Sequence, residues 1–517
     1  MLLESNFLLL DGRSLSIQDI VRIARRRTKV KISDQAMNLL NKGRKLVQQW
    51  SEQETPVYGL NRGVGLNKDR PVIDAYSEYN RNLILSHSIG IGPEVPIEEI
   101  RAVMATRLNT LLVGCTGIQP EIAKMYETFL NKEITPILPS RGTVGAADIG
   151  ILSHIGLAMI GEGEVYYKGE RVHVLEAFKK EGIQPITLGP KDGLAIVSSN
   201  AFSAGMASLL LYDLSDLIEA ADMIYALSLE GLNGNVSPLD ESVLKVRPYH
   251  GQMKSAKRVR KYLENSYLWD ETRPIPLQDP LSFRGGFTVH GAVLDCLEYT
   301  NSLLTLQLNS SDDNPCVLVD EKRIVPTSNY EVTTLVLGLE MLGLSLAHVS
   351  KNSCFRTIKL ANPVFTNLSR FLSPDEERVI AFGTIQKTFS ALDAEIRHLS
   401  NPVSSDYFAI AGEIEDHATN SAFVVQKLKK IVDNLYYILG IEAIHAAQAV
   451  DLRKGIQKGI GTNAVYEVIR EHIPFLERDR NLSTDIEKAY QLLKSKKLLN
   501  HVRKTMRNHS NDIDITL

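Results

Sequence analysis

The sequence predicts a mainly α-helical protein, a bundle of long helices joined to a smaller mixed α/β N-terminal part. From Thr419 to Leu452, Val424, Leu428, Ile431, Leu435 and Ile438 recur at spacings of three and four, and Val425, Val432 and Leu439 form a second stripe beside them. A doubled stripe buries a helix on more than one side, as a bundle requires. Comparable windows at Ala201 to Leu232, Glu331 to Leu360 and Pro374 to Ser400 exceed the usual helix of about 11 to 12 residues.

Taken in order, residues 1–195 read as the mixed region and 196–517 as the bundle with its C-terminal helices. The run Met1 to Gly12 is apolar but interrupted by Glu4 and has no basic start, so it does not read as a signal peptide. Gly- and Pro-rich turns separate short apolar runs at Val57 to Gly65 and Pro136 to Gly150. Between Glu164 and Val174, the β-prone Val165-Tyr166-Tyr167, the turn Lys168-Gly169 and the alternating Val172 and Val174 predict a strand pair. The last twenty residues are polar and read as a helix with a frayed tail.

A net charge of -3 with 23% charged residues points away from nucleic acid. The basic runs Arg25 to Lys29 and Lys254 to Lys261 read as solvated helix faces. No stretch reaches the ~20 apolar residues that span a bilayer, so no membrane partner is expected. Cys115, Cys296, Cys316 and Cys354 are far apart in sequence and unpaired by motif, which predicts no metal site and no disulfide framework and suits a cytoplasmic location.

Six segments concentrate Gly, Asn and ionisable residues between apolar helices: Tyr58 to Gly65, Asn82 to Ser88, Arg141 to His154, Gln278 to Arg284, Asn309 to Pro315, and Gly412 to His417. Three glycines after Tyr58 let a loop approach a ligand closely, and a phenol of lowered pKa can act as a base. In this order the segments resemble those of the histidine and aromatic amino-acid ammonia-lyases and 2,3-aminomutases: the catalytic-tyrosine loop, "LLxSH", the cofactor loop, "QDxYSxR", "NSxTDNP" and "QEDH". The resemblance implies a homotetramer of mainly helical protomers, with each active site drawn from three subunits, acting on a small molecule. It further implies Tyr58 as catalytic base and Glu415 as a catalytic group near the substrate amine or side chain. Arg284 would pair with the substrate carboxylate, a task that suits a planar guanidinium. His87, Asn314, Gln278 and Tyr330 fall at substrate-binding positions, although each reads equally well as a satisfied structural group.

The match breaks at the cofactor. The family loop carries Ala-Ser-Gly, which cyclises and dehydrates to the electrophile methylidene-imidazolone. Here Gly142-Thr143-Val144-Gly145 and Asp148-Ile149 match on either side, but only Ala146 and Ala147 stand between them. Alanine has no hydroxyl to lose, so no cofactor is expected. A cyclised tripeptide written as one letter would leave one residue there, not two. The asparagine that contacts the cofactor in the family is replaced by Ser198, the tyrosine of "QDxYS" by Leu281, and a threonine beside Tyr58 by Arg62. Arg62 is expected at the rim of the site, where its charge would lower the pKa of Tyr58 and favour a second acidic group on the ligand.

Three readings follow. The first is a family enzyme, a lyase or isomerase, working without the cofactor by acid/base elimination, addition or isomerisation on a small carboxylated substrate. The second is an ordinary cofactor-dependent ammonia-lyase or aminomutase. The third is a non-catalytic binding homologue, against which the retained Tyr58 and Arg284 argue.

Overall fold

A computed structural model of the chain describes residues 7–72 and 76–509. The readings of the N-terminal run and the C-terminal tail lie outside the described residues at positions 1–6 and 510–517. The protein is mainly helical, with short two- and three-stranded sheets.

Two compact units form, each from separated stretches of chain. The first comprises Met1–Tyr212, Thr300–Leu339 and Pro402–Gln426; the second comprises Asp213–Tyr299, Glu340–Asn401 and Lys427–Leu517. The expected boundary after residue 195 therefore falls inside the first unit. All but one of the passages between units occur within the long helices Ala201–Leu232, Gly286–Leu308, Thr333–Leu360 and Ser421–Leu452.

Both apolar stripes of Ser421–Leu452 are buried, from Val424 and Val425 to Ile438 and Leu439. The helix expected from Glu331 begins instead at Thr333, because the Glu331 carboxylate accepts the Thr333 backbone N–H at 2.8 Å and acts as its cap. The window Pro374 to Ser400 is α-helical only over Gln386–Leu399, preceded by a single 3-10 turn at Ala381–Gly383. Before that helix, Phe371, Leu372 and Ala381 take positive φ, and the Asp479 carboxylate accepts the N–H groups of Ile380 and Ala381 at 2.8 and 2.9 Å. A side chain has taken the donors that a helix would use.

The expected hairpin is present as Glu164–Tyr167 against Glu170–His173, with Val165 opposite Val172, and Ile134–Pro136 adds a third strand. Val174 opens the helix Val174–Glu181 rather than closing the strand. Two helical stretches, Asp192–Leu232 and Thr333–Leu360, are long and apolar enough to cross a membrane, contrary to the sequence expectation. The most apolar window of the first is wholly buried in the protein, so its apolarity serves the core. Arg258, within a run read as solvated, is buried between Glu219 and Asp222. Cys115 and Cys316, distant in sequence, are close enough to influence each other's ionisation, Cys316 lowering the Cys115 pKa to about 7.

Candidate active site

The site is built within the first unit on three polar anchors. Arg107 and Asp312 are both buried and pair at 3.3 Å. Asp312 also accepts the Ser199 hydroxyl at 2.8 Å and the Asn200 backbone N–H at 2.9 Å. Lys191, buried and left-handed at φ 68°, pairs with Asp313 at 2.5 Å and donates to the Thr116 carbonyl. These contacts tie the turn before helix Ala201–Leu232 to the segment holding Asn314. Buried charges that are paired and hydrogen-bonded in this way fix geometry, because losing either partner is costly.

The third anchor shapes the Tyr58 loop. Buried Asn61 accepts the Val57 N–H at 2.7 Å and donates to the carbonyls of Gln53 and Thr55. Gly59 sits at φ 66°, and a Cβ there would lie 2.1 Å from the Leu194 side chain. The left-handed φ favours glycine here, and a side chain would also displace Leu194 where the loop closes on the helix Asp192–Val197. Opposite, the chain from Ile410 to Glu415 turns back on itself, with Ile410 N–H donating to the Glu415 carbonyl at 2.9 Å and Ala411, Gly412 and Glu413 all at positive φ.

Between these elements lies a cavity of about 710 Å³. Of the residues expected from sequence, Tyr58, His87, Ala146, Ala147, Ser198, Asn314, Tyr330 and Glu415 line it. Glu331, Asp416 and His417 line it as well, and among the described residues no lysine or arginine does. Sequence reasoning missed Glu331. The available signal was an acidic residue directly after the expected aromatic Tyr330. His417 lies 3.5 Å from Glu331.

The Tyr58 hydroxyl accepts the Gly65 backbone N–H at 3.0 Å. Burial pushes its pKa above the ordinary phenol value; the Gly65 bond opposes this, while Glu415 and Tyr330 add to the rise. The expected lowering by Arg62 is thus reversed. Arg62 does not line the cavity, and its guanidinium donates to the carbonyl of neighbouring Asn61 at 3.0 Å. The His87 Nδ1–H donates to the Leu83 carbonyl at 2.8 Å. The Asn314 side-chain oxygen accepts from Thr327 N–H at 2.9 Å, and the Asn314 backbone N–H donates to Ser198 Oγ at 3.3 Å.

Arg284 and Gln278 belong to the second unit and are not among the cavity's lining residues. Gln278 is exposed. Asp148 does not line the cavity either. It is fully buried and accepts the Ser203 N–H and the Ser203 and Thr143 hydroxyls at 3.0 to 3.1 Å. Burial raises its carboxyl to about 6 against these bonds. His250, Asp295 and Glu298 of the second unit bring ligand atoms within 4.8 Å of one another at the surface, but His250 is already hydrogen-bonded to Glu298 at 3.2 Å.

The loop at the family's cofactor position is a tight turn. Gly145 bridges to Ala147, which sits at φ 57°, and the Asp148 N–H donates to the Ser199 carbonyl at 2.6 Å. The neighbouring hydroxyls of Thr143 and Ser203 are committed to Asp148. Neither Ala146 nor Ala147 carries a hydroxyl that dehydration could remove, so the residues present do not fit the methylidene-imidazolone group.

Comparison with known proteins identifies the family. The profile of the aromatic amino acid lyase family matches residues 15–471. The histidine ammonia-lyase of Stigmatella aurantiaca is 36% identical over 501 residues, covering 96% of this chain and 98% of that protein. Among solved structures, the ergothioneine-degrading enzyme ergothionase from Treponema denticola, in complex with desmethyl-ergothioneine sulfonic acid, is 47% identical. It superposes with a TM-score of 0.94, covering 96% of this chain and 100% of that one. The tyrosine aminomutase of Streptomyces globisporus is 28% identical with a TM-score of 0.91, covering 96% and 98%. A chain matched in this way from end to end, with the tyrosine loop and the glutamate turn facing one cavity, belongs to the aromatic amino acid lyase family and is an enzyme of the ammonia-lyase type.

Proposed function

We propose that this enzyme eliminates trimethylamine from a histidine-derived betaine, ergothioneine being the specific candidate, without methylidene-imidazolone. The observation that carries the reading is that Ala146 and Ala147 face the same cavity as Tyr58 and Glu415, where the family has its electrophile. An unactivated amine is a poor leaving group and needs an electrophile to depart. A quaternary ammonium does not: the C–N bond breaks with its electron pair going to nitrogen, and a neutral amine leaves. Tyr58 takes the β-proton, the C–H electrons form the Cα–Cβ double bond, and the products are an arylacrylate, trimethylamine and a proton. The likeness to ergothionase supports the choice of substrate.

Arg284 serves as the carboxylate clamp, brought to the cavity by another copy of the chain in a homotetramer. Within its own chain its charge acts on the Asp279 carboxylate, opposing the rise in pKa that burial causes there. Mixing inactive Tyr58→Phe and Arg284→Ala chains should then restore part of the activity, and light scattering should give a tetramer. The four free cysteines suit a reducing cytoplasm.

A second reading, a cofactor-dependent histidine ammonia-lyase, is favoured by the 36% identical relative. Intact mass and substrate assays separate the two. The encoded mass together with trimethylamine release from ergothioneine supports the first. A mass lower by two waters, near-ultraviolet absorbance and ammonia release from histidine would establish the second.

A further inference from the structure

Resting on that reading, in which Arg284 of another copy holds the substrate carboxylate, we infer that the substrate's own quaternary ammonium switches Tyr58 into its basic form, by supplying positive charge on the side of the cavity that Tyr58 shares with Glu415, where this chain contributes no lysine or arginine among the described residues. Tyr58 is faced by Glu415 from the turn 410–415, by Tyr330 from the segment before helix Thr333–Leu360, and by Tyr79 from helix Tyr76–His87. Among this chain's described residues, the Gly65 N–H on its own loop, 3.0 Å away, is the group that favours phenolate. The remaining ionisable lining groups are Glu331, Asp416, His87 and His417. A wall of this composition holds an uncharged phenol well and a phenolate poorly. The same carboxylates are a ready counter-ion for a cation.

A cation seated beside Glu415 and Tyr58 reverses the balance. One positive charge within about 4 to 6 Å raises the ionisation constant of an acid roughly tenfold to a thousandfold. The kind of cation matters. A primary ammonium next to a phenolate can pass it a proton and quench the base. A quaternary nitrogen carries no proton, so it can only stabilise the phenolate. Base activation and substrate selection thus become one event: the group that is to leave is the group that readies the base. A neutral ligand of the same shape fills the cavity and leaves Tyr58 protonated.

Glycine betaine tests this, because it has the trimethylammonium and the carboxylate but no β-carbon and cannot eliminate. Its isostere 3,3-dimethylbutanoate replaces the charged nitrogen with carbon. Tyr58 ionisation is read as the ultraviolet difference between wild type and Tyr58→Phe across pH, in the intact assembly. Saturating glycine betaine should ease Tyr58 ionisation at least tenfold, and 3,3-dimethylbutanoate should not. By reciprocity, glycine betaine should bind wild type at least tenfold more tightly as pH rises through the Tyr58 transition. In Tyr58→Phe that gain should disappear. Equal shifts with both ligands, or pH-independent binding of glycine betaine to wild type, overturn the inference while leaving the betaine reading intact. If glycine betaine does not bind and ergothioneine is not consumed, the betaine reading itself falls.

Discussion

Replacing Tyr58 with phenylalanine separates catalysis from structure, because the structure bounds the stability cost. Among the described residues the hydroxyl makes one hydrogen bond, accepting from Gly65 N–H at 3.0 Å. Losing one such neutral bond at a half-buried site costs about 0.5–1.5 kcal/mol. The ring stays, and with it the packing. A general base contributes roughly 10²- to 10⁴-fold in rate, or about 3 to 5.5 kcal/mol of barrier. Tyr58→Phe should therefore lower kcat/KM for ergothioneine by at least about a hundredfold while moving the urea midpoint only slightly. Trimethylamine release gives the rate, and urea unfolding followed by circular dichroism gives the stability. Burial and Glu415 hold the free phenol above its ordinary pKa, so wild-type kcat/KM should climb with pH well past neutrality, and the variant should lack that climb. A variant that keeps more than a tenth of wild-type kcat/KM would refute the assignment of Tyr58 as the base.

Asp312→Ala should destabilise the protein by about 3–5 kcal/mol in chemical denaturation, since it strands buried Arg107 without its partner; a loss under 1 kcal/mol would contradict the anchoring role. Gly145→Ala should also destabilise, because φ is 84° and the added Cβ would meet Ser421 N at 2.8 Å; thermal melts measure it, and an unchanged midpoint would mean that the turn yields. Burial pushes the Asp148 carboxyl up to about 6 in the fold, from an ordinary value of 3.8. The folded state thus binds the proton more tightly, and the group's stabilising contribution is complete below about 4 and is lost as pH rises through about 6. Stability relative to Asp148→Asn should fall across that window; a pH-independent difference would show that the carboxyl is not shifted.

The long helices were legible because burial on two sides leaves two stripes, as from Val424 to Leu439. Pro374 to Ile385 reads as part of a long helix, while a feature that holds its backbone, the carboxylate of Asp479, lies about a hundred residues downstream. The site's cast was legible from motifs, and Tyr58 and Glu415 do share a cavity. Their electrostatics were not. Arg62 is a neighbour in sequence but spends its guanidinium on the Asn61 carbonyl, and Glu331 looked like one more surface acid until the fold put it on the cavity wall. A sequence lists charges, but the sign of a pKa shift depends on which of them face the group.

The short turn at Ala146 and Ala147 also bears on when the protein becomes competent. A loop that must cyclise and lose water has to ripen after the chain has folded, at the pace of a covalent reaction. This one is closed by the Gly145–Ala147 bridge and the Asp148 bond to Ser199. On the reading proposed above it has nothing to ripen. Activity should appear as soon as the assembly forms, with no lag after refolding beyond association itself. The change also runs one way in sequence space: a single Ala147→Ser substitution leaves the loop one residue short, so restoring the electrophile calls for an insertion.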